Sequence, residues 1–271
     1  MRHASHGEGD KGMNVLDVLT AENLNAILPF IAIGFVAQLV DGALGMAFGV
    51  ITSTLLVSVM GVPPARASAS VHLVETFTTA ASAVSHIIHR NVDWKLFSRL
   101  VLPGMIGGIT GAYLLVQYED HARPFVMAYL TCIGFYLLWK WWSVDHGRPP
   151  KPAKYVIPLG LAGGFLDATG GGGWGPVVTS NLLVQGAEPR TTIGTVNTVE
   201  FFLTVTISAT FIATIGMAAF SKAAVGLIIG GLMAAPLGAF LVKRISSQRL
   251  LLLVGTVLTA TSLFALWKSL S

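Results

Sequence analysis

The sequence predicts an all-α polytopic membrane protein built from two inverted structural repeats. Three observations support this prediction: the composition, a succession of apolar segments, and an internal duplication. Of the 271 residues, 53% are hydrophobic and only 11% are charged, whereas about a quarter of the residues in a soluble domain are charged. A chain of this composition is expected to lie within a lipid bilayer.

Ten apolar segments follow one another along the chain, separated by short breaks that contain proline, glycine or charge. A helix needs about 20 apolar residues to cross a bilayer. Segments 45–60 and 174–186 are short for a crossing, so each is expected to form a re-entrant hairpin with the segment before it, and full crossings are the alternative. The segments are residues 24–41, 45–60, 67–88, 97–117, 123–143, 155–169, 174–186, 191–216, 219–242 and 249–268.

One polar stretch, SVDHGRPPKPAK, divides the chain. The expected organisation is a polar N-terminal tail (1–22), a first membrane repeat (23–143), a cytoplasmic linker (144–154) and a second membrane repeat (155–271). Each repeat is expected to contain a glycine-broken helix pair followed by three membrane helices. Basic residues cluster in the linker and in two other loops, and such clusters mark cytoplasmic loops. With these loops inside, the two repeats are inverted and both termini lie outside.

The two halves contain copies of the same motifs, about 126 residues apart. VDGALGMAFGVITSTLLV (40–57) corresponds to LDATGGGGWGPVVTSNLLV (166–184), and VHLVE (71–75) corresponds to VNTVE (196–200). Acids and glycines at matching places in two apolar halves are typical of transporters built from internal repeats.

Acidic residues within the apolar segments are the first candidates for function. An ionised acid at bilayer depth costs roughly 2.5–3.5 kcal/mol, so such residues are functional candidates by default. Two of them adjoin glycine turns, where they could equally cap helices. The four acids are Asp41, Glu75, Asp167 and Glu200.

Two of these acids share a helix face with a polar residue three positions earlier. His72 precedes Glu75, and Asn197 precedes Glu200. Histidine titrates near neutral pH, whereas asparagine does not. We therefore expect His72, Glu75 and Glu200 to exchange protons and Asn197 to orient a substrate.

Glycine runs beside the two aspartates form a candidate anion site. A helix that begins after a glycine turn directs unpaired N–H groups and its positive dipole end toward the turn, and glycine allows close approach of a ligand. The alternative is that small residues simply allow close helix packing. The candidate substrate-binding residues are Asp41, Gly42, Gly45, Gly49, Thr52, Asp167, Thr169, Gly170, Gly171, Gly172, Gly173, Thr179 and Asn197.

Other polar residues give weaker signals. Arg66 and Arg190 follow matching proline turns, where they could attract an anion or extend to the membrane surface. His86 and His89 are expected at a solvated helix end. The single cysteine, Cys132, excludes an internal disulfide. Because no catalytic or cofactor motif is present, we expect neither an enzyme nor a cofactor.

The duplicated motifs together resemble the TauE/SafE sulfite-exporter family over residues 25–268. These motifs are the Asp–Gly turn, the Thr-Ser-x-Leu-Leu run, the Pro–Arg turn and Val-x-x-Val-Glu, each present twice. The resemblance implies a secondary transporter that exports small sulfur-containing anions such as sulfite or organosulfonates, with proton coupling as its power source. Such a protein is expected in the cell (inner) membrane of a bacterium or archaeon. A passive anion channel and a cation or metal carrier that uses the acids as ligands are the alternatives.

Overall fold

Helices account for all the regular structure that is described. The computed structural model describes residues 21–44, 46–142, 154–185, 187–217, 222–241 and 247–270, and no strand occurs among them. A π-helical turn, Leu55–Val59, continues α2, and another, Gly175–Thr179, leads into α7. The helices are α1 (Ala21–Leu44), α2 (Phe48–Thr54), α3 (Pro64–Ile88), α4 (Trp94–Gln117), α5 (Glu119–Trp142), α6 (Val156–Gly170), α7 (Ser180–Val184), α8 (Pro189–Ile215), α9 (Lys222–Leu241) and α10 (Ser247–Leu270).

The distribution of side chains is that of an integral membrane protein. Within the described residues, Trp94–Gln117, Pro124–Trp142 and Thr191–Ile215 are long and apolar enough to span a bilayer. Large apolar side chains such as Leu102 and Phe125 are exposed, whereas polar side chains are buried inside the bundle. An apolar exterior around a polar interior suits a lipid surrounding. The prediction of an all-helical membrane protein is therefore confirmed.

Local sequence determines where several helices begin and end. The carboxylate of Asp93 accepts hydrogen bonds from the backbone of Lys95 (2.9 Å) and Leu96 (3.2 Å), and so caps α4. At the end of α6, Gly171 adopts a φ of 65°, a left-handed conformation that costs glycine little.

Helices of one half pair with helices of the other, and the pairing follows the duplicated order. The most extensive pairs are α1 with α9, α4 with α6, α5 with α10 and α3 with α8, and α4 also packs on α8. If α1 corresponds to α6 and α4 to α9, exchanging the halves converts the α1–α9 pair into the α6–α4 pair. In the α3–α8 and α5–α10 pairs each helix pairs with its own counterpart, so the exchange leaves both pairs unchanged. Two copies related by a two-fold axis would pair in this way.

Close contact within two of these pairs depends on isolated glycines. A Cβ on Gly34 would lie 2.5 Å from the carbonyl oxygen of Leu227, and one on Gly107 would overlap the carbonyl of Leu161. Small residues let helix backbones approach in a membrane protein. These glycines therefore serve packing.

The second broken helix pair is a hairpin. The backbone N–H of Lys154, just before α6, donates to Oε1 of Gln185, just after α7, at 2.6 Å. The two ends of the α6–α7 pair thus lie side by side. The chain reverses at the glycine run 170–173, which is buried at the tip.

Candidate functional site

The glycine breaks of the two halves meet inside the bundle. A Cβ on Gly49 would lie 2.7 Å from the Cα of Gly172 and 3.0 Å from the carbonyl oxygen of Gly171. Ser53 also donates a hydrogen bond to the Gly171 carbonyl. Gly172 has a φ of 144°, a conformation that side-chain-bearing residues rarely adopt. The two glycine tips are therefore in direct contact.

Asp41 and Asp167 occupy equivalent structural positions in the two halves. Oδ1 of Asp41 accepts hydrogen bonds from the backbone of Ala47 (2.7 Å) and Phe48 (3.0 Å). Oδ1 of Asp167 accepts one from the backbone of Trp174 at 2.9 Å. Each carboxylate binds the start of the helix beyond the glycine break, where unpaired N–H groups favour negative charge. Both aspartates are therefore helix caps, and both also line the cavity described below.

The second oxygen of Asp167 contacts a fully buried histidine. Oδ2 of Asp167 lies 3.1 Å from Nε2 of His72. Nδ1 of His72 lies 2.8 Å from the carbonyl oxygen of Ser68, and the Ser68 hydroxyl donates to the carbonyl of Ala168 at 2.6 Å. Because a carbonyl only accepts, this contact is a hydrogen bond in the tautomer that carries its proton on Nδ1.

This arrangement requires one further proton. With Nδ1 protonated, Nε2 of a neutral imidazole is an acceptor, and a carboxylate facing it is also an acceptor. A hydrogen bond forms only if either the ring or the carboxyl gains a proton. The contact between Nε2 of His72 and Oδ2 of Asp167 in this tautomer therefore depends on that additional proton.

A cavity of about 300 Å³ lies beside the meeting point of the glycine tips. All four acids singled out in the sequence line it, together with Asn197 and backbone of three of the glycines. The full lining is Gln38, Asp41, Met46, Phe48, Gly49, Val50, Glu75, Thr78, Thr79, Ser82, His86, Asp167, Gly172, Gly173, Gly175, Pro176, Ile193, Asn197 and Glu200.

Two buried polar atoms of the lining have no hydrogen-bond partner in the described part of the chain. They are Oε2 of Glu75 and Oε1 of Gln38. The residues are only 6% and 8% exposed, respectively. Buried polar atoms are nearly always paired in folded proteins. The cavity therefore offers unfilled hydrogen-bonding capacity to water or to a small polar ligand.

Similarity to known proteins is consistent with this architecture. The model of the family described as "Sulfite exporter TauE/SafE" matches residues 30–265. The chain belongs to the TauE/SafE family. It is also 44% identical over 240 residues to a protein of Bacillus subtilis (strain 168) described as "Probable membrane transporter protein YtnM"; the match covers 86% of this chain and 80% of that protein. No solved structure matches the chain. Membership of TauE/SafE places the protein among membrane transporters and not among enzymes.

Several residues expected at the site do not line the cavity. Thr52 and Thr179 are fully buried within the helices beyond the breaks, and Thr169 donates to the carbonyl of its own helix at Phe165 (2.9 Å). Gly45 lies outside the described residues, and neither the side chain of Arg190 nor the surroundings of Gly42 are described. The other predicted residues that do not line the cavity are Arg66, which is exposed, His72, Gly170 and Gly171.

The cavity also contains polar residues that sequence reasoning did not assign to it. His86, which was expected at a solvated helix end, lines the cavity, and its Nε2 lies 3.5 Å from Nδ2 of Asn197. The same amide nitrogen lies 3.3 Å from the hydroxyl of Ser82. Ser82 and His86 lie on the same helix as Glu75, about two and three turns after it. Their spacing along α3 was the available signal.

Proposed function

We propose that this protein is a secondary transporter that exports small sulfur-containing anions, such as sulfite or organosulfonates, by proton-coupled alternating access. The observation that carries the proposal is the cavity where the two broken helix pairs meet, in a chain of the TauE/SafE family. Secondary transporters commonly bind their solute between discontinuous helices at the interface of two repeats.

An inverted arrangement of the repeats fits both the loop charges and the helix pairing. The basic clusters around Arg90 and in the linker assign those loops to the cytoplasm. The first half then begins outside and the second begins inside. The exchange of the α1–α9 and α4–α6 pairs supports a two-fold relation between the halves. We further propose that the two repeats rock relative to each other while the glycine tips stay in place.

Anion recognition would rest on neutral donors. The amide groups of Asn197 and Gln38 both face the cavity, and each amide can turn either its oxygen or its NH₂ group toward a ligand. Glycine backbone at the tips permits close contact with a small oxyanion. These groups offer the donors that a tetrahedral or pyramidal oxyanion requires.

Protonation of the carboxylates that line the cavity would then allow the anion to bind. A carboxylate about 5 Å from a bound anion opposes it by roughly 3 kcal/mol at an effective dielectric constant of about 20. Two ionised glutamates, Glu75 and Glu200, would therefore cancel much of the affinity of a small ligand. Protonation removes this repulsion and converts Glu75 into a donor. The proton held by His72 and Asp167 would enter or leave the same cavity through Asp167.

The cavity is less suited to binding a metal ion than to binding an anion. Hard cations such as Ca²⁺ take six to eight oxygen ligands at about 2.3–2.6 Å. In the part of the chain that the structure describes, no three His, Cys, Asp or Glu side chains converge closely enough to hold a metal. Two of the acids are already engaged by helix starts. A passive anion channel would use the same cavity and is separated from a carrier by whether the anion is accumulated.

The test is transport in liposomes reconstituted with purified protein. With sulfite as the probe, an imposed pH gradient should drive sulfite above its equilibrium distribution. Glu75→Gln and Glu200→Gln should each abolish that accumulation, while Asp93→Asn, at an exposed helix cap, should not. Sulfite flux that never exceeds equilibrium would establish a channel instead. Full proton-driven accumulation by both glutamine variants would refute the coupling role.

A further inference from the structure

Lys140 is a cation placed inside the bundle without a carboxylate beside it. It lies in the last turn of α5 and is half-buried. Its Nζ donates to the hydroxyl of Ser180 at 2.8 Å and lies 3.8 Å from the sulfur of Met46. Among the described residues, the ion pair that forms is between His72 and Asp167, and Lys140 contacts only neutral groups. Burying an ammonium beside neutral partners is costly.

Met46 separates this lysine from the central cavity. The residue lines the cavity, and its sulfur lies 3.8 Å from both Nζ of Lys140 and the hydroxyl of Ser180. On the cavity side it packs against Gly175, where a Cβ would lie 2.7 Å from the Cβ of Met46. A single flexible, unbranched side chain therefore forms the partition.

The lysine lies between the cavity and the linker face of the molecule. Lys140 is two residues before the end of α5, and the linker follows that end. Ser180 begins α7, and the residue after α7, Gln185, is bonded to Lys154 at the end of the linker. Lys140 and Ser180 thus lie between Met46 and the linker face.

We infer that Lys140 and Ser180 form a second subsite for a small oxyanion, next to the central cavity on its linker side, with Met46 as the movable partition between them. This inference rests on the proposed transport of a sulfur-containing anion. The four acids of the central cavity repel an anion. Lys140 supplies a positive charge that is separated from the cavity by the side chain of Met46. A solute leaving or entering through the linker face would bind Lys140 before or after the cavity.

The test uses the charge of a thiol reagent and does not depend on transport. Met46→Cys is made with Cys132, the exposed cysteine, replaced by alanine. The new thiol is labelled with two methanethiosulfonates of similar size, one bearing a sulfonate and the other a trimethylammonium group. Lys140 should favour the sulfonate reagent, so Lys140→Met should lower the sulfonate-to-ammonium rate ratio by about tenfold. Lys140→Arg should retain the ratio.

Sulfoacetate provides the second readout, because this organosulfonate, unlike sulfite, does not react with thiosulfonate reagents. Sulfoacetate should slow labelling of Met46→Cys when Lys140 or Lys140→Arg is present, but not with Lys140→Met. Replacing a buried unpaired charge by an apolar side chain of similar size should not destabilise the fold, and unchanged thermal unfolding of Lys140→Met checks this. An unchanged rate ratio together with unchanged protection by sulfoacetate would overturn the subsite.

The two proposals fail separately. A charge-dependent labelling ratio in a protein that accumulates no sulfite would support an anion subsite and refute the transport proposal. Proton-driven sulfite accumulation that is intact in Lys140→Met, with an unchanged labelling ratio, would support transport and refute the subsite.

Discussion

The hydroxyl of Ser53, in the first half of the chain, donates a hydrogen bond to the carbonyl of Gly171 at the glycine break of the second half. The bond joins residues 118 positions apart and is buried. It ties the helix beyond one break to the turn of the other. The two broken helix pairs are therefore fastened to each other at the point where the cavity forms.

Removing this bond should loosen the centre of the molecule. Ser53→Ala leaves the buried Gly171 carbonyl without that donor, and such a loss costs about 1–3 kcal/mol. We expect a lower thermal unfolding temperature in detergent. Thr110→Ala is the matched control, because the Thr110 hydroxyl is exposed and bonds only its own helix at Ile106. Equal stability of the two variants would show that the bond across the halves contributes nothing.

Alanine substitution of two glycines with the same backbone conformation distinguishes the cost of backbone strain from the cost of steric contact. Gly171 and Gly61 have φ values of 65° and 68°, so alanine costs roughly 1–2 kcal/mol of backbone strain at either place. A Cβ on Gly61 meets nothing within 4 Å, whereas one on Gly171 lies 3.1 Å from the Cα of Ser68 and overlaps the Ser53 hydroxyl. Gly171→Ala should therefore unfold at a distinctly lower temperature than Gly61→Ala. Similar unfolding temperatures would contradict the tight meeting of the tips.

The proposed sharing of a proton by His72 and Asp167 predicts different outcomes for two substitutions at one position. Asp167→Asn can accept from the Trp174 N–H and donate to Nε2 of a neutral His72, which imitates the protonated pair. We expect nearly unchanged stability but loss of any proton exchange through this pair. Asp167→Ala removes both partners and should cost more than Asp41→Ala, which loses only a helix cap worth about 0.5–2 kcal/mol.

Thermal unfolding and pH-dependent sulfite transport check these variants together. The expected order of unfolding temperatures is wild type and Asp167→Asn, then Asp41→Ala, then Asp167→Ala. If Asp167→Asn and Asp167→Ala were equally destabilised, the account of the shared proton would be wrong. A wild-type pH dependence of transport in Asp167→Asn would show that the pair takes no part in coupling.

The unpaired amide of Gln38 predicts a loss of binding without a loss of stability. Its Oε1 is buried without a partner, so Gln38→Leu should leave the unfolding temperature unchanged or raise it. Binding of sulfite, followed by titration calorimetry, should weaken about tenfold if the amide contacts the ligand, since one hydrogen bond contributes about 1 kcal/mol or more. Gln117→Leu, at an exposed position on α4, is the control. Lower stability with unchanged binding would give Gln38 a packing role only.

Sequence reasoning located the helices and the breaks because local chemistry determines them. The lengths of the apolar runs predict the helical segments. The glycines beside Asp41 and Asp167 predict the breaks between helices, because glycine disfavours a helix wherever it occurs in the sequence. The duplication marked both aspartates as equivalent, and their equivalent caps follow from that. That all four acids line one cavity depends on how the helices pack together.

Other features depend on tertiary contacts that no local pattern encodes. Gly171 and Gly172 were predicted together as site residues, yet only Gly172 lines the cavity, because Gly171 is covered by Ser53. His72 lies three residues from Glu75, but it reaches Asp167 behind the cavity wall. Lys140 belongs to a helix that sequence reasoning connected with no site, and only the packing of α5 brings it to Ser180.

The most direct test of the central claim is ligand-induced thermal stabilisation of the purified protein by small anions and divalent cations. A ligand that binds only the folded state adds about 2.7 kcal/mol at a hundredfold excess over its Kd. The account predicts that sulfite, or another sulfur oxyanion among thiosulfate, sulfate, sulfoacetate and taurine, raises the unfolding temperature, and that Asn197→Ala in the cavity wall removes the shift. Stabilisation by divalent cations alone would contradict it and would make the four acids cation ligands.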